Sequence, residues 1–290
     1  MSQLMKLYDL QSRYERGVLE MSKRYLEQTE ADYRSVYKKW EEGELFPGET
    51  IVRKKPWWRM FARSETIELP GKQLSRPAFL KWYAKRLEMH KLLYAAGGAR
   101  EDEVWRLSYR RQLDFYLMLH QLNDHYGLFY RPVAQYQQGE VELGSFVVGP
   151  TAIHLIAWLD GEESIYHVSP AKKWMEQPFK GETRQVLSPL IDLKRTEDML
   201  KHLLAGESDL PVERIIVASK GYFDHVPKDA TSTYVNKIDF QAWIKRMNDL
   251  APHTKAQQAR ICDRLLERMA SVTFAQAIER QEETFETAEE

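Results

Sequence analysis

The chain has few of the features that mark secreted or membrane-embedded proteins. Its single cysteine, Cys262, excludes an intramolecular disulfide. No stretch approaches the roughly 18 uninterrupted apolar residues that a membrane-spanning helix needs. The first residues are charged and follow a heptad-like pattern, without the apolar centre of a secretory signal. We therefore expect a cytoplasmic protein with no transmembrane segment.

An excess of charge of either sign is also missing. The 42 Lys and Arg residues nearly balance the 43 Asp and Glu residues, which leaves a net charge of -1 over 290 residues. No global field then directs the protein toward nucleic acid or acidic lipid, so any such surface must be a local patch. Gly-x-Ser-x-Gly, P-loop and Gly-x-Gly-x-x-Gly motifs are absent as well.

The apolar periodicity predicts helices at both ends of the chain. One stripe, which includes Leu4, Leu7 and Tyr14, predicts a single helix over residues 2 to about 43. This helix either packs on the rest of the chain or mediates self-association with a partner protein. Further helices are predicted over 76–96, 101–124, 188–205, 240–250, 254–269 and from 273 onward.

Strand patterns fall between these helices. Residues 142–148 and 152–158 predict a hairpin about Gly149-Pro150, and further strands are predicted over 129–137, 164–168, 214–218 and 234–235. The order predicts an α/β fold with helical additions. We expect a helical N-terminal extension over 1–99, an α/β core over 100–250, and C-terminal helices with an acidic tail over 251–290.

Residues 141–159, with their Val-Val-Gly-Pro turn, resemble the core of a nuclease-related (NERD) domain of the restriction-endonuclease-like superfamily. The sequence Ser188-Pro189-Leu190 is similar to the Asn-Pro-Leu that begins the next helix in that family. Residues 212–218 resemble the buried strand that follows. The resemblance covers about residues 100–250 and implies a mixed sheet flanked by helices.

The same resemblance implies where a nuclease would carry its chemistry. The family has a metal-binding Asp on the first strand and a Glu-x-Lys triplet at the end of the second. The matching positions here are Gly144, Ala157 and Leu159, which can neither ligate a metal nor orient a water. The resemblance therefore implies a degenerate, inactive domain that has no cofactor. Such a domain would act in binding or assembly, with nucleic acid as one candidate partner.

An alternative keeps the nuclease active with displaced ligands. Asp114, Glu142 and Asp160 are the candidate substitutes, and they would require a divalent metal. Glu142 shares strand parity with Gly144, since residues two apart face the same side. Asp160 belongs to an Asp-Gly turn pattern and lies on the opposite parity from Ala157 if the strand continues that far.

The basic-aromatic segment, residues 53–63, interleaves five cations with three rings and contains no acid. Such a mixture can contact phosphates and stack on bases, or lie at an anionic membrane surface or on a protein. It can equally pack its rings on the protein body. The candidate binding residues are Arg53, Lys54, Lys55, Trp57, Trp58, Arg59 and Arg63.

The remaining titratable residues predict no metal site. His120 and His125 lie five residues apart, which is not the helical spacing that joins two imidazoles on one ion. His167, His202 and His225 have no obvious partners in the sequence. Cys262 is predicted to be a structural thiol inside a helix.

Overall fold

The structure is a computed structural model that describes residues 2–47, 49–53, 65–69, 71, 73–97, 99–106, 112–206, 210–228, 230–250, 255–277 and 279. The chain divides into two compact units, Met1–Met21 with Lys91–Glu290, and Ser22–His90. The division into 1–99, 100–250 and 251–290 stays a prediction. None of the described helices combines the length and apolar character needed to cross a bilayer.

The larger unit contains a six-stranded mixed sheet. Its order is β1-β4-β7-β8-β12-β14, in which β7 runs antiparallel to both neighbours and the other adjacent pairs are parallel. The strands are β1 (Gln3–Leu7), β4 (Gly127–Tyr130), β7 (Phe146–Val148), β8 (Ile153–Trp158), β12 (Val212–Val217) and β14 (Ser232–Val235). Apolar side chains such as Leu155 and Ile216 are fully buried, as expected for a sheet covered on both faces.

Helices cover this sheet, which confirms an α/β fold. Helix α4 contacts β4, α5 contacts β8 and β12, and α7 contacts β7. The predicted hairpin is confirmed in the pairing of β7 with β8, although its first strand begins at Phe146 and not at residue 142, and Gly149 N–H closes the turn by donating to the Ala152 carbonyl at 2.9 Å. The helices of this unit are α3 (Glu101–Arg106), α4 (Leu113–Gln121), α5 (Pro189–Leu203), α6 (Phe240–Asp249) and α7 (Lys255–Leu266).

A second sheet of four strands belongs to the same unit. Its order is β11-β10-β9-β13, with β13 parallel to β9 and the other pairs antiparallel. The strands are β9 (Ile165–His167), β10 (Lys173–Gln177), β11 (Arg184–Leu187) and β13 (Tyr222–Asp224). Of these strands, only β9 was predicted. Strand β10 lacks an apolar periodicity, because its two buried positions hold Trp174 and the charged Glu176. A separate hairpin joins β5 (Val133–Tyr136) to β6 (Gly139–Glu142).

The smaller unit packs around aromatic rings. Helices α1 (Val18–Glu41) and α2 (Arg76–Ala95) contribute a cluster in which the Phe79 ring stacks on Trp40 at 4.8 Å. Tyr33, Tyr37 and Tyr83 surround Phe79. Strands β2 (Glu49–Arg53) and β3 (Glu65–Leu69) pair as an antiparallel hairpin. The predicted helix over 76–96 is confirmed.

The single helix predicted over residues 2–43 is wrong. Residues 3–7 form β1, parallel to β4, a short 3₁₀ helix covers Arg13–Arg16, and α1 begins only at Val18. Leu4, Met5, Lys6 and Leu7 are all buried, which one face of a helix cannot achieve. Gly17 has φ 115°, a conformation that favours glycine and separates the 3₁₀ helix from α1.

The predicted helix over 101–124 is also divided in two. Helix α3 ends at Arg106, and α4 begins after Gln112, whose φ of −76° and ψ of 130° are extended. A residue with extended φ and ψ cannot continue the helical hydrogen-bond ladder, so the helix is interrupted at Gln112. Residues 107–111 lie outside the described residues.

Candidate functional site

The predicted site lies at one edge of the six-stranded sheet, which we call the carboxyl edge. Strands β4, β8, β12 and β14 all end there, and antiparallel β7 begins there. Ligand sites in open α/β sheets commonly lie outside the carboxyl ends of the strands. Gly144, Asp160, Lys220 and Lys237 directly precede or follow these strands and belong to this edge.

Gly144 is closed in by helix α5. Its N–H donates to Thr196 Oγ1 at 2.8 Å. A Cβ atom at this position would lie 2.8 Å from Asp192 Oδ2 and 3.1 Å from Thr196 Oγ1. The first distance is shorter than real Cβ contacts, so no side chain fits without displacing Asp192. At the position that the resemblance assigns to a metal-binding Asp, helix α5 therefore lies close to the glycine, and a side chain there would have to displace the end of Asp192.

Ala157 and Leu159 act in the strand ladder. Phe146 pairs with Leu155, and Ile156 N–H donates to the Ser145 carbonyl, so the same register places Gly144 opposite Ala157. Ala157 pairs with Ile216 of β12 on its other side. Leu159 N–H donates to the Val217 carbonyl at 2.9 Å. These three positions supply backbone hydrogen bonds and carry no ionisable group.

Two of the candidate substitutes have protein partners already. The Asp114 carboxylate accepts a hydrogen bond from the Tyr130 hydroxyl at 3.0 Å. Burial, and secondarily the negative charge of Asp114, raise the pKa of Tyr130. Glu142 forms an ion pair with Arg131 at 2.6 Å, and the Arg131 guanidinium lies 5.5 Å from the centre of the Tyr8 ring. Both carboxylates therefore serve local packing around Tyr130 and Arg131.

Asp160 interacts with Asp114 through charge. Partial burial raises the pKa of Asp160, the negative charge of Asp114 raises it further, and Lys220 opposes this shift. Among the described residues, however, no group of three potential metal ligands includes Asp114, Glu142 or Asp160. The structure thus brings two of the candidates into electrostatic reach without assembling all three.

A buried carboxylate that the sequence did not reveal lies in the four-stranded sheet. Glu176 Oε1 accepts from Ser164 Oγ at 2.9 Å and from Tyr166 OH at 3.4 Å, and Arg184 Nε donates to Oε2 at 2.7 Å. Tyr166 OH also accepts from Gly161 N–H at 2.8 Å. Burial alone raises the pKa of Glu176, but these hydrogen bonds outweigh it and leave the pKa below its ordinary range.

This network ties the Asp160-Gly161 turn to the second sheet. A Cβ at Gly161 would lie 2.2 Å from Glu176 Oε1 and 2.4 Å from Tyr166 OH. Burial, as the largest cause, raises the pKa of Tyr166 to about 12, so its hydroxyl stays protonated and donates. With every polar group of the network satisfied, its role is structural.

The prediction that His167 and His225 lack partners is wrong. His167 Nδ1 lies 3.3 Å and His225 Nε2 lies 3.4 Å from the same oxygen of Asp224, Oδ2. The parallel pairing of β9 with β13 places His167 beside Asp224. Periodicity could not reveal this group, because the residues lie 57 positions apart in strands of three residues (224 minus 167). A signal was present only in the adjacent Asp224-His225 pair.

The sequence also singled out His202, Cys262 and the basic-aromatic segment. His202 packs edge-on against the Tyr136 ring at 4.9 Å. Cys262 is buried within α7, as predicted for a thiol inside a helix, and burial raises the pKa of its thiol. The backbone of Arg53 ends β2, whereas Lys54, Lys55, Trp57, Trp58, Arg59 and Arg63 lie outside the described residues. The basic-aromatic segment therefore stays a prediction.

A comparison of the chain with protein-family models, with curated proteins and with solved structures finds no match. The resemblance to the NERD family accordingly stays a prediction that rests on the residues themselves.

Proposed function

We propose that the chain is a nuclease-related scaffold without metal-dependent nuclease chemistry, and that it acts by binding or assembly. The observation that carries this proposal is the packing of α5 on Gly144. Asp192 Oδ2 and Thr196 Oγ1 lie 2.8 Å and 3.1 Å from the position of a Cβ atom at residue 144, so a carboxylate side chain there would have to displace Asp192. A metal-dependent nuclease needs that carboxylate to bind its ion.

The order of elements supports the nuclease-related part of the proposal. Helix α4 precedes the β7–β8 hairpin, α5 follows it, and β12 then pairs in parallel with β8. This is the order that the resemblance implies over about residues 100–250. Because one fold carries many functions, the order supports ancestry and leaves activity to the site.

A cleavage assay tests the absence of nuclease chemistry. The full chain is incubated with single- and double-stranded DNA and RNA in the presence of Mg²⁺ or Mn²⁺. We expect no metal-dependent cleavage above a buffer control. Cleavage that disappears in both Glu142→Ala and Asp160→Ala would contradict the proposal and establish an active nuclease with relocated ligands.

A restored variant sharpens the same test. Gly144→Asp combined with Ala157→Glu and Leu159→Lys recreates the family's pattern, and we expect it to remain inactive because Asp192 occupies the required space. Adding Asp192→Ala removes that obstacle. Activity that returns only in the fourfold variant would identify the α5 contact as the feature that excludes the metal.

Nucleic acid is the partner that the basic-aromatic segment favours. Its five cations can neutralise phosphates while its rings stack on bases. Replacing Arg53, Lys54, Lys55, Arg59 and Arg63 by Gln should weaken binding to a single-stranded oligonucleotide. The magnitude of the slope of log K against log salt should fall by as much as about 3.5, at roughly 0.7 per phosphate contact on a single strand.

The exposed cations Arg34 and Lys38 of α1 provide the control, since their replacement by Gln removes charge outside the segment. Unchanged binding in the fivefold variant would remove nucleic acid as a partner of this segment. Binding of the wild-type chain to anionic lipid vesicles alone would assign the segment to a membrane surface instead.

A further inference from the structure

We propose that His167, Asp224 and His225 form a binding site for a divalent transition-metal ion, with Zn²⁺ as the best fit. The three side chains each offer one ligand atom, and these atoms lie within 4.8 Å of one another. The site lies at the edge strand β13 of the four-stranded sheet. It is separate from Gly144, Ala157 and Leu159 and does not depend on the nuclease-related proposal.

The distances match those of a tetrahedral ion. Zn²⁺ binds imidazole nitrogen and carboxylate oxygen at about 2.0–2.1 Å, so ligand atoms in a tetrahedron lie about 3.3–3.4 Å apart. His167 Nδ1 lies 3.3 Å from Asp224 Oδ2, and His225 Nε2 lies 3.4 Å from the same oxygen. These two separations match, and the ligand atoms of His167 and His225 lie within 4.8 Å of each other.

The backbone holds the three residues in this arrangement. The β9–β13 register pairs His167 with Asp224, and Val168 N–H donates to the Asp224 carbonyl at 2.9 Å. His225 has φ 59°, a left-handed conformation that is uncommon outside glycine. Its N–H donates to Asp224 Oδ1 at 2.8 Å, which leaves Oδ2 facing both imidazoles. Strained backbone of this kind is frequent at ligand sites.

A hydrogen bond also directs the His167 ring. Its Nε2 lies 3.2 Å from Gln177 Oε1, so this side chain fixes the orientation of the ring. The other nitrogen, Nδ1, faces Asp224 Oδ2 at 3.3 Å. In the tautomer with the proton on Nε2, Nδ1 can bind a metal ion together with that oxygen. Metal-bound histidines are typically held by such a bond from the other ring nitrogen.

The ligand set indicates the class of ion. Two imidazoles with one carboxylate suit Zn²⁺ and its neighbours, whereas Mg²⁺ and Ca²⁺ prefer oxygen ligands alone. Three protein ligands leave a fourth tetrahedral position for water. The side chain of His225 is 74% exposed, so the ion can enter from solvent. By joining β13 to β9, the ion would stabilise a strand that pairs over only three residues.

Zinc binding to the untagged full chain tests the proposal. Protein stripped with a chelator and dialysed is titrated with Zn²⁺ in competition with a chromophoric chelator. We expect one ion per chain, and a rise in the melting temperature on addition of Zn²⁺. Asp224→Asn and His225→Ala should each weaken binding by at least about 100-fold, and Gln177→Ala by about tenfold.

His202→Ala is the matched control, because His202 is also an exposed histidine of the same unit. It should bind Zn²⁺ like the wild-type chain. The proposal is overturned if the wild-type chain binds no stoichiometric Zn²⁺, or if both Asp224→Asn and His225→Ala bind as tightly as wild type. Melting curves without metal confirm that each variant is folded.

Discussion

The charged groups of the six-stranded sheet and those of the four-stranded sheet have different partners. At the carboxyl edge of the six-stranded sheet, the Tyr130 hydroxyl donates to Asp114, Arg131 pairs with Glu142, and the glycine at position 144 is covered by α5. In the four-stranded sheet, His167 and His225 converge on one oxygen of Asp224 at the protein surface. The first arrangement engages its charged groups with protein partners, and the second brings three potential ligand atoms within 4.8 Å of one another.

The contrast separates the segment that suggested a function from the residues that could bind a ligand. The β7–β8 hairpin is the segment on which the proposed nuclease resemblance rests, and its residues take part in packing and backbone pairing. The ligand group arises in strands that the resemblance does not cover in detail. Function follows the geometry of a site, and a site can lie on any surface that the fold presents. Three predictions test the contrast.

The largest effect is expected for Glu15→Ala, which affects the edge of the six-stranded sheet. Lys6 of β1 is 0% exposed, and its Nζ donates to Glu15 Oε1 at 2.6 Å. Burial lowers the pKa of Lys6, whereas Glu15 raises it. Removing Glu15 leaves a buried cation without a partner, so the free energy of unfolding should fall by about 4 kcal/mol. Urea unfolding measures this change.

Glu27→Ala is the control for that experiment. The Glu27 side chain is 64% exposed and lies 3.9 Å from Lys23, an exposed pair of the type that contributes about 0.5 kcal/mol or less. If both variants lost the same free energy of unfolding, the Lys6–Glu15 ion pair would contribute no more to stability than an exposed pair.

Gly161→Ala is expected to have the next largest effect, at the start of the four-stranded sheet. The added Cβ would lie 2.2 Å from Glu176 Oε1 and 2.5 Å from Ser164 Oγ, inside a buried network. Displacing these groups should cost about 2–3 kcal/mol of unfolding free energy. Thermal and urea unfolding of the purified variant would report it.

Gly139→Ala supplies the matched control, because nothing lies within 4 Å of its Cβ position. Its stability should change by no more than about 0.5 kcal/mol. Equal effects of the two substitutions would mean that the Glu176 network does not hold the turn rigidly.

The sequence predicts the central elements well where burial is continuous. Strands β8 and β12 are short apolar runs, and the Gly149-Pro150 turn between β7 and β8 is specific enough to pair them. Helix α5 follows from Pro189 at its first position and a regular apolar stripe. In each case the local pattern and the tertiary environment favour the same structure.

The sequence fails where burial depends on a distant partner. In β1, the buried Lys6 interrupts the apolar pattern, and only the Glu15 ion pair explains its position. In β10, Glu176 is buried because Ser164, Tyr166 and Arg184 surround it. A pattern of apolar residues contains no information about such partners, so these strands could not be predicted from periodicity.

The candidate site was predictable in its location but not in its contents. The resemblance indicated Gly144 and Ala157, and continuing the β7–β8 register by two residues places them opposite each other. The sequence did not show that Asp192 and Thr196, about 50 residues later, lie against Gly144. Nor could it show that three-residue strands bring His167 to Asp224.

The smallest effect concerns the pH dependence of Glu176. Hydrogen bonds from Arg184, Ser164 and Tyr166 outweigh the effect of burial and lower its pKa. A carboxyl group with a lowered pKa stabilises the fold above its unfolded pKa, about 4.3, and loses that contribution as pH falls through the folded pKa. The difference in unfolding free energy between wild type and Glu176→Gln should therefore shrink as the pH is lowered from 6 toward 3.

Salt distinguishes this buried carboxylate from an exposed one. The hydrogen bond from Lys220, together with its charge, lowers the pKa of Glu162, but the Glu162 side chain is 78% exposed. In 1 M salt the Debye length is about 3 Å, so the pH-dependent difference for Glu162→Gln should disappear. Most of the difference for Glu176→Gln should persist, because the Glu176 side chain is 3% exposed and Ser164 and Tyr166 donate to it inside the protein, whereas the Arg184 side chain is 68% exposed. Loss of both differences in high salt would show that the Glu176 network is open to solvent.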